Sequence, residues 1–159
     1  MFWSGIRYGV LGPLVPLEGD PEAKRSGITA KVYLEILEEY LPTLMDADTI
    51  FMQDNAPIHT AGKVKRFFED MAFELLDWPP YSPDLNCIEN LWKLLKEKIN
   101  ARYPELGTLP KNESSLRQLI SAAIEVWEEF DIELINQLID SMPRRIAAVV
   151  AAKGWYTKY

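Results

Sequence analysis

Short apolar blocks broken by glycine and proline fill the first half of the chain, and apolar residues at helical spacing fill the second. Residues 1–9 (MFWSGIRYG) and 13–17 (PLVPL) read as two short strands around a glycine-containing turn. The acidic stretch from Glu18 to Ser26 reads as a loop. Residues 29–41 place Val32, Leu34, Ile36, Leu37, Tyr40 and Leu41 at helical spacing behind Thr29, a suitable N-cap, and Pro42 marks the end. Residues 48–53 (DTIFMQ) predict a buried strand that leaves as a loop at Asp54–Pro57. A short amphipathic helix over 60–70 and a strand over 72–76 follow. Pro79, Pro80 and Pro83 exclude a helix and predict a stiff connection. From there Leu85, Ile88, Trp92, Leu95 and Ile99 form one stripe, predicting a helix over 84–100 with Asp84 as its N-cap. A loop over 104–113 leads to helices over 114–130, 131–140 and 143–152. Strands alternating with helices, then helices alone, indicate an α/β domain with a helical C-terminal layer.

Composition narrows the classes. A chain of 159 residues with 48% hydrophobic and 26% charged residues suits one domain with its own core. The net charge of −7 argues against an autonomous basic DNA-binding module, though it leaves room for an enzyme whose acidic residues hold divalent cations. One cysteine, Cys87, forms no internal disulfide, which fits a reducing compartment. No apolar run approaches the roughly 20 residues of a membrane helix, so no membrane partner is expected. The apolar start is not read as a signal peptide, because its first residues carry no cationic cluster and Gly9, Gly12, Pro13 and Pro16 interrupt it.

The candidate chemistry lies in two carboxylates in distinctive settings. Asp54 follows an apolar run in TIFMQDNAPIHTA, just past a predicted strand, where α/β sheets usually place ligands. Glu89 lies in DWPPYSPDLNCIENLWKLLKEKI, at the margin of the helix stripe, and 34 residues (55–88) separate the two. Taken singly, Asp54 is also a good turn residue, and Glu89 is also a solvated helix residue within reach of Lys93 at i+4, a pair worth about 0.2–0.5 kcal/mol.

The wording around both carboxylates decides between these readings. QDNAPIHT followed by WPPYSPDLNCIENLW resembles the catalytic domain of mariner-superfamily transposases. The opening WSGIRYGVLGPLVPLEG resembles that domain's second and third strands, and the ending SMPRRIAAVVAAKGWYTKY its C-terminal tail. The resemblance implies a ribonuclease-H-like fold, a mixed sheet flanked by helices with a helical C-terminal part. It implies Asp54 and Glu89 as ligands to Mg²⁺ or Mn²⁺ in a two-metal site that cleaves and transfers DNA strands. DNA, as transposon ends and target, is the implied partner, with a homo-oligomer or a full-length transposase as protein partner. A nuclear location follows if the source is eukaryotic, and a cytoplasmic one otherwise.

Other motif residues are open to functional and structural readings. His59, the single histidine, orients Asp54, contacts phosphate or holds the loop. Asn55 ties the loop backbone or supports the metal shell. Asn86 and Asn90 flank Glu89 as supporting candidates. Lys93 and Lys96 follow it along the helix and meet phosphate or water. Arg144 and Arg145 bind phosphate or cap neighbouring elements. Trp92 is expected in the core, and Cys87 is not read as a nucleophile, since nothing basic stands beside it.

The family's first aspartate lies on a central first strand that precedes the segment opening this chain. Glu18, Asp20, Glu22, Glu35, Glu38, Glu39, Asp46 and Asp48 follow no buried strand and are poor substitutes. The expectation is therefore a truncated copy, or a gene model begun at an internal methionine, that is inactive alone.

Overall fold

The computed structural model describes residues 1–24, 26–46, 48–155 and 157–159. Contacts divide the chain into unit 1, Met1–Trp3 with Val15–Tyr81, and unit 2, Ser4–Leu14 with Ser82–Tyr159.

In unit 1, β1 (Phe2–Trp3) pairs antiparallel with β4 (Val15–Pro16), matching Trp3 to Val15. Helix α1 (Ala30–Leu44) starts as expected, with the Thr29 hydroxyl accepting from Val32 N. It runs on through Pro42, because Leu41 and Leu44 are buried on the same face as Tyr33 and Leu37. That packing outweighs the one backbone bond proline removes. Strand β5 (Ile50–Phe51) pairs in parallel with β6 (Glu74–Leu75). The buried strand expected over 48–53 is thus only two residues long, and Ile50 is 49% exposed. With one described neighbour instead of two, the ladder is short and leaves that side chain uncovered. Helix α2 (Gly62–Asp70) turns Val64, Phe67 and Phe68 inward, and Phe51 stacks on Phe68 at 5.4 Å. The loop expected over 18–26 carries no helix or strand at its described positions; Arg25 lies outside the described residues.

In unit 2, the single strand expected over 1–9 is broken. Its second half, β2 (Ile6–Arg7), turns back through Tyr8–Gly9 onto β3 (Val10–Leu11), a stretch read as part of the turn. Gly9 has φ +74°, a left-handed conformation that glycine adopts without strain, and its N–H donates to Asn136 Oδ1 at 2.7 Å. Helix α3 (Ile88–Arg102) begins four residues later than predicted. Pro83–Leu85 forms a 3₁₀ turn and Asn86 is extended, so Asp84 is not the N-cap. The buried face of α3 is Leu91, Leu95 and Ile99, with Trp92 half-buried beside it. Another 3₁₀ turn, Pro104–Thr108, occupies part of the expected loop. Helices α4 (Glu113–Glu128), α5 (Ile132–Asp140) and α6 (Met142–Ala151) follow within two residues of expectation, α4 and α5 capped by Asn112 and Asp131.

Asp84 has a different task. Its Oδ2 accepts from the N–H and hydroxyl of Thr157 at 2.7 and 2.6 Å. Those two bonds, the hydroxyl's first, hold the carboxyl below its ordinary value of 3.8. A depressed carboxyl stabilises the fold above its unfolded pKa, and that stability is lost as pH falls through the folded one. Protection of the Thr157 amide from hydrogen exchange will therefore fall as pH drops below about 4. In Asp84→Ala it will be low and nearly flat with pH; an unchanged profile would refute the assignment.

Candidate functional site

Asp54 leaves β5 after two residues, on a loop held at both ends. Ala56 N donates to Asp54 Oδ1 at 3.0 Å, closing a turn, and His59 and Thr60 donate their N–H groups back to Ala56 O. His59 Nδ1 lies 2.6 Å from Asp54 Oδ1. An ionised carboxylate only accepts, so Nδ1 carries the proton and the ring aims at one oxygen. The Asp54 side chain is 60% exposed and that of His59 20%, so the carboxylate reaches solvent while its partner is largely covered. His59 thus touches the Asp54 carboxylate through its ring and holds the loop through its backbone, its N–H donating to Ala56 O and its carbonyl accepting from Gln53.

Two residues the sequence reading missed stand behind this pair. The Tyr33 ring packs on His59 at 4.3 Å, and its hydroxyl donates to Gln53 Oε1 at 2.6 Å. Gln53 Nε2 in turn donates to His59 O. Burial pushes the Tyr33 hydroxyl well above its ordinary range, so it remains a donor. Its signal was present as the i, i+4, i+8 series Tyr33, Leu37, Leu41. Asn55 ties the backbone, donating from Nδ2 to Trp78 O at 2.8 Å.

Glu89 lies in unit 2, in the first turn of α3, and is exposed. Asn90 Oδ1 accepts from Arg145 Nη2 at 2.6 Å. Asn86 Oδ1 is buried without a hydrogen-bond partner among the described residues. Lys93 and Lys96 are exposed, with Lys93 Nζ 4.0 Å from Glu97 Oε1. Arg144 is exposed, whereas Arg145 is buried with its nitrogens engaged, the capping member of its two readings. Cys87 is buried, and desolvation pushes its thiol up, away from the reactive thiolate. Among the described residues no three His, Cys, Asp or Glu side chains are grouped to hold a metal, and no helix is long and apolar enough to cross a membrane.

Residues 22–109, more than half of the chain and both carboxylates, match the family model described as DDE superfamily endonuclease. The chain belongs to that family. The Tcb1 transposable-element transposase of Caenorhabditis briggsae is 33% identical over 163 residues, covering 100% of this chain and 54% of its own length. The Tc1 transposase of Caenorhabditis elegans is 41% identical over 111 residues, 69% of this chain and 37% of that protein. The chain thus spans about half the length, or less, of these relatives. The Mos1 transposase catalytic domain, solved with Raltegravir and Mg, superposes with a TM-score of 0.65 at 23% identity, over 91% of this chain and 69% of that one. The Mos1 paired-end complex with the left transposon end gives 0.65 at 24%, over 90% and 39%. The mixed α/β architecture is that of this ribonuclease-H-like catalytic domain, as the resemblance implied. The chain is thus similar to transposable-element transposases along its length.

Proposed function

We propose that this chain acts as one domain, the catalytic portion of a mariner-type DNA transposase, and that Asp54 and Glu89 are metal-holding carboxylates. The observation that carries the proposal is the Asp54 loop. Within the region matching the DDE endonuclease model, an exposed carboxylate has Oδ1 fixed by His59 and Ala56 N, leaving Oδ2 as the oxygen to offer a cation. Carboxylate oxygens are the hard donors that Mg²⁺ and Mn²⁺ prefer. Such ions, when bound, offset charge on the phosphoryl group and lower the pKa of the attacking water. The chain's own part is orientation. His59, backed by Tyr33 and Gln53, holds Asp54, and α3 presents Glu89. DNA ends and target are the proposed substrates, as the Mos1 complex contains a transposon end. Lys93, Lys96 and Arg144, all exposed, are assigned to backbone phosphate, with binding that weakens as salt rises. A nuclear location in a eukaryotic source belongs to the same reading.

Titration with Mn²⁺, followed by paramagnetic broadening of backbone NMR signals, tests this. Signals around Asp54 and Glu89 will broaden first, and Asp54→Asn or Glu89→Gln will raise the Mn²⁺ needed by about tenfold or more, because each removes a charged oxygen ligand. Broadening elsewhere, or unchanged by both substitutions, would falsify the assignment. The family site takes three carboxylates and the assigned pair supplies two, so the isolated chain is expected not to nick supercoiled DNA. Retention of an intact relative on the immobilised chain, without cleavage, would favour a non-catalytic binding role.

A further inference from the structure

The start of α3, which presents Glu89, is weakly held by its own sequence. Its bonds span only three residues: Leu85 N to Ser82 O, Asn86 N to Pro83 O, Glu89 N to Asn86 O and Asn90 N to Cys87 O, at 2.9–3.2 Å. Bonds of this 3₁₀ type have poorer geometry than α-helical ones. The N-cap position is Cys87, which makes no side-chain cap.

What holds the segment comes from the far end of the chain. Arg145 is 2% exposed, and its donors go to neutral oxygens on three elements. Nε donates to Ser141 Oγ at 2.7 Å, Nη1 to Asp84 O at 2.8 Å and Nη2 to Asn90 Oδ1 at 2.6 Å. Two of those acceptors bracket Glu89 in the sequence. The Tyr159 ring covers the guanidinium at 4.7 Å, and Thr157 makes both its bonds to the Asp84 carboxylate. A buried charge is tolerated only when its donors are satisfied, so the guanidinium, the 3₁₀ turn and the tail depend on one another.

We infer that Arg145, closed over by Thr157 and Tyr159, is a positioning residue that sets where the first turn of α3 presents Glu89. The importance of that position rests on the metal-holding role proposed above. The guanidinium is a fork with fixed angles, so it sets direction as well as distance, which a lysine in its place does not.

Hydrogen exchange and Mn²⁺ broadening on the whole chain test this together. Because Arg145 variants risk unfolding, the primary variant is Thr157→Val with Tyr159→Leu, which leaves Arg145 in place. Its amides at Leu85, Asn86, Glu89 and Asn90 will exchange about tenfold faster, those inside α4 will not change, and half-broadening at Glu89 will need about tenfold more Mn²⁺, a loss typical of residues that orient ligands. Arg145→Lys will move the same readouts further. Unchanged exchange at the four amides in both variants overturns the inference, and so does equal acceleration throughout α3 and α4. Glu89→Gln separates the two claims. If it leaves Mn²⁺ broadening as in the parent chain, the metal role of Glu89 fails, and the positioning of α3 is judged on exchange alone.

Discussion

Replacing Trp127 with alanine will cost unit 2 about 3–5 kcal/mol, the range for emptying a buried aromatic site. Trp127 is 1% exposed on α4. Its ring stacks on Trp92 of α3 at 5.0 Å and meets Phe130 edge-on at 5.5 Å. Its indole N–H donates to Gly12 O at 2.9 Å, just after β3. The substitution thus removes a large apolar group shared by two helices and one of the two donors to the Gly12 carbonyl, which keeps the Ser4 hydroxyl at 3.2 Å. Domains of this size are stable by about 5–15 kcal/mol, so about a fifth or more of the margin is at stake. Trp127→Phe keeps one aromatic ring in the site but loses the indole donor and the rest of the bicycle, for a smaller cost of about 1–3 kcal/mol, mostly packing. Urea denaturation followed by circular dichroism measures both. A loss under about 1 kcal/mol in the alanine variant would show that the α3–α4 packing does not rest on this ring.

Trp127 also marks where the sequence was legible and where it was not. Helical elements were readable because each carries its own pattern. Leu95 and Ile99 repeat at i+4, and Asn112 and Asp131 stand at the starts of α4 and α5 and cap them. Strands were less readable, because β1, β2, β3 and β5 are two residues each, too short for an alternating pattern, and β1 and β5 also owe their limits to partners beyond the next turn. The placement of Gly9 by Asn136, 127 residues away, has no local signature. Asp84 shows the same limit at the candidate site. An aspartate ahead of a helical stripe is a sound N-cap by local rules. Pro83 and an extended Asn86 delay the helix, and Thr157, 73 residues on, takes the carboxylate. Asp54 and Glu89 stood out by the wording around them; the residues that support them, Tyr33, Gln53 and Arg145 with its tail, are joined by contacts that no spacing rule reports.

The second large effect falls on unit 1. Tyr33→Ala will cost about 3–5 kcal/mol there and will release the loop that carries Asp54. The side chain is 2% exposed, packs on His59 at 4.3 Å and donates to Gln53 Oε1 at 2.6 Å. Removing it takes away the ring that backs the imidazole and the donor that fixes the Gln53 amide, whose other end holds the His59 carbonyl. The expected signature is therefore local as well as global. Amides of His59 and Thr60, which donate to Ala56 O, will lose protection under native conditions beyond what the loss of global stability explains. Tyr33→Phe keeps the ring on His59 and removes only the hydroxyl, so its cost will be about 1 kcal/mol, with His59 and Thr60 still protected. Because burial keeps the Tyr33 hydroxyl protonated well above its ordinary range, the parent loop will hold its protection at pH 9, where an exposed tyrosine begins to ionise. If Tyr33→Ala leaves the His59 and Thr60 amides as protected as before, the loop is held by Ala56 and Asn55 alone, and Tyr33 has no part in aiming Asp54.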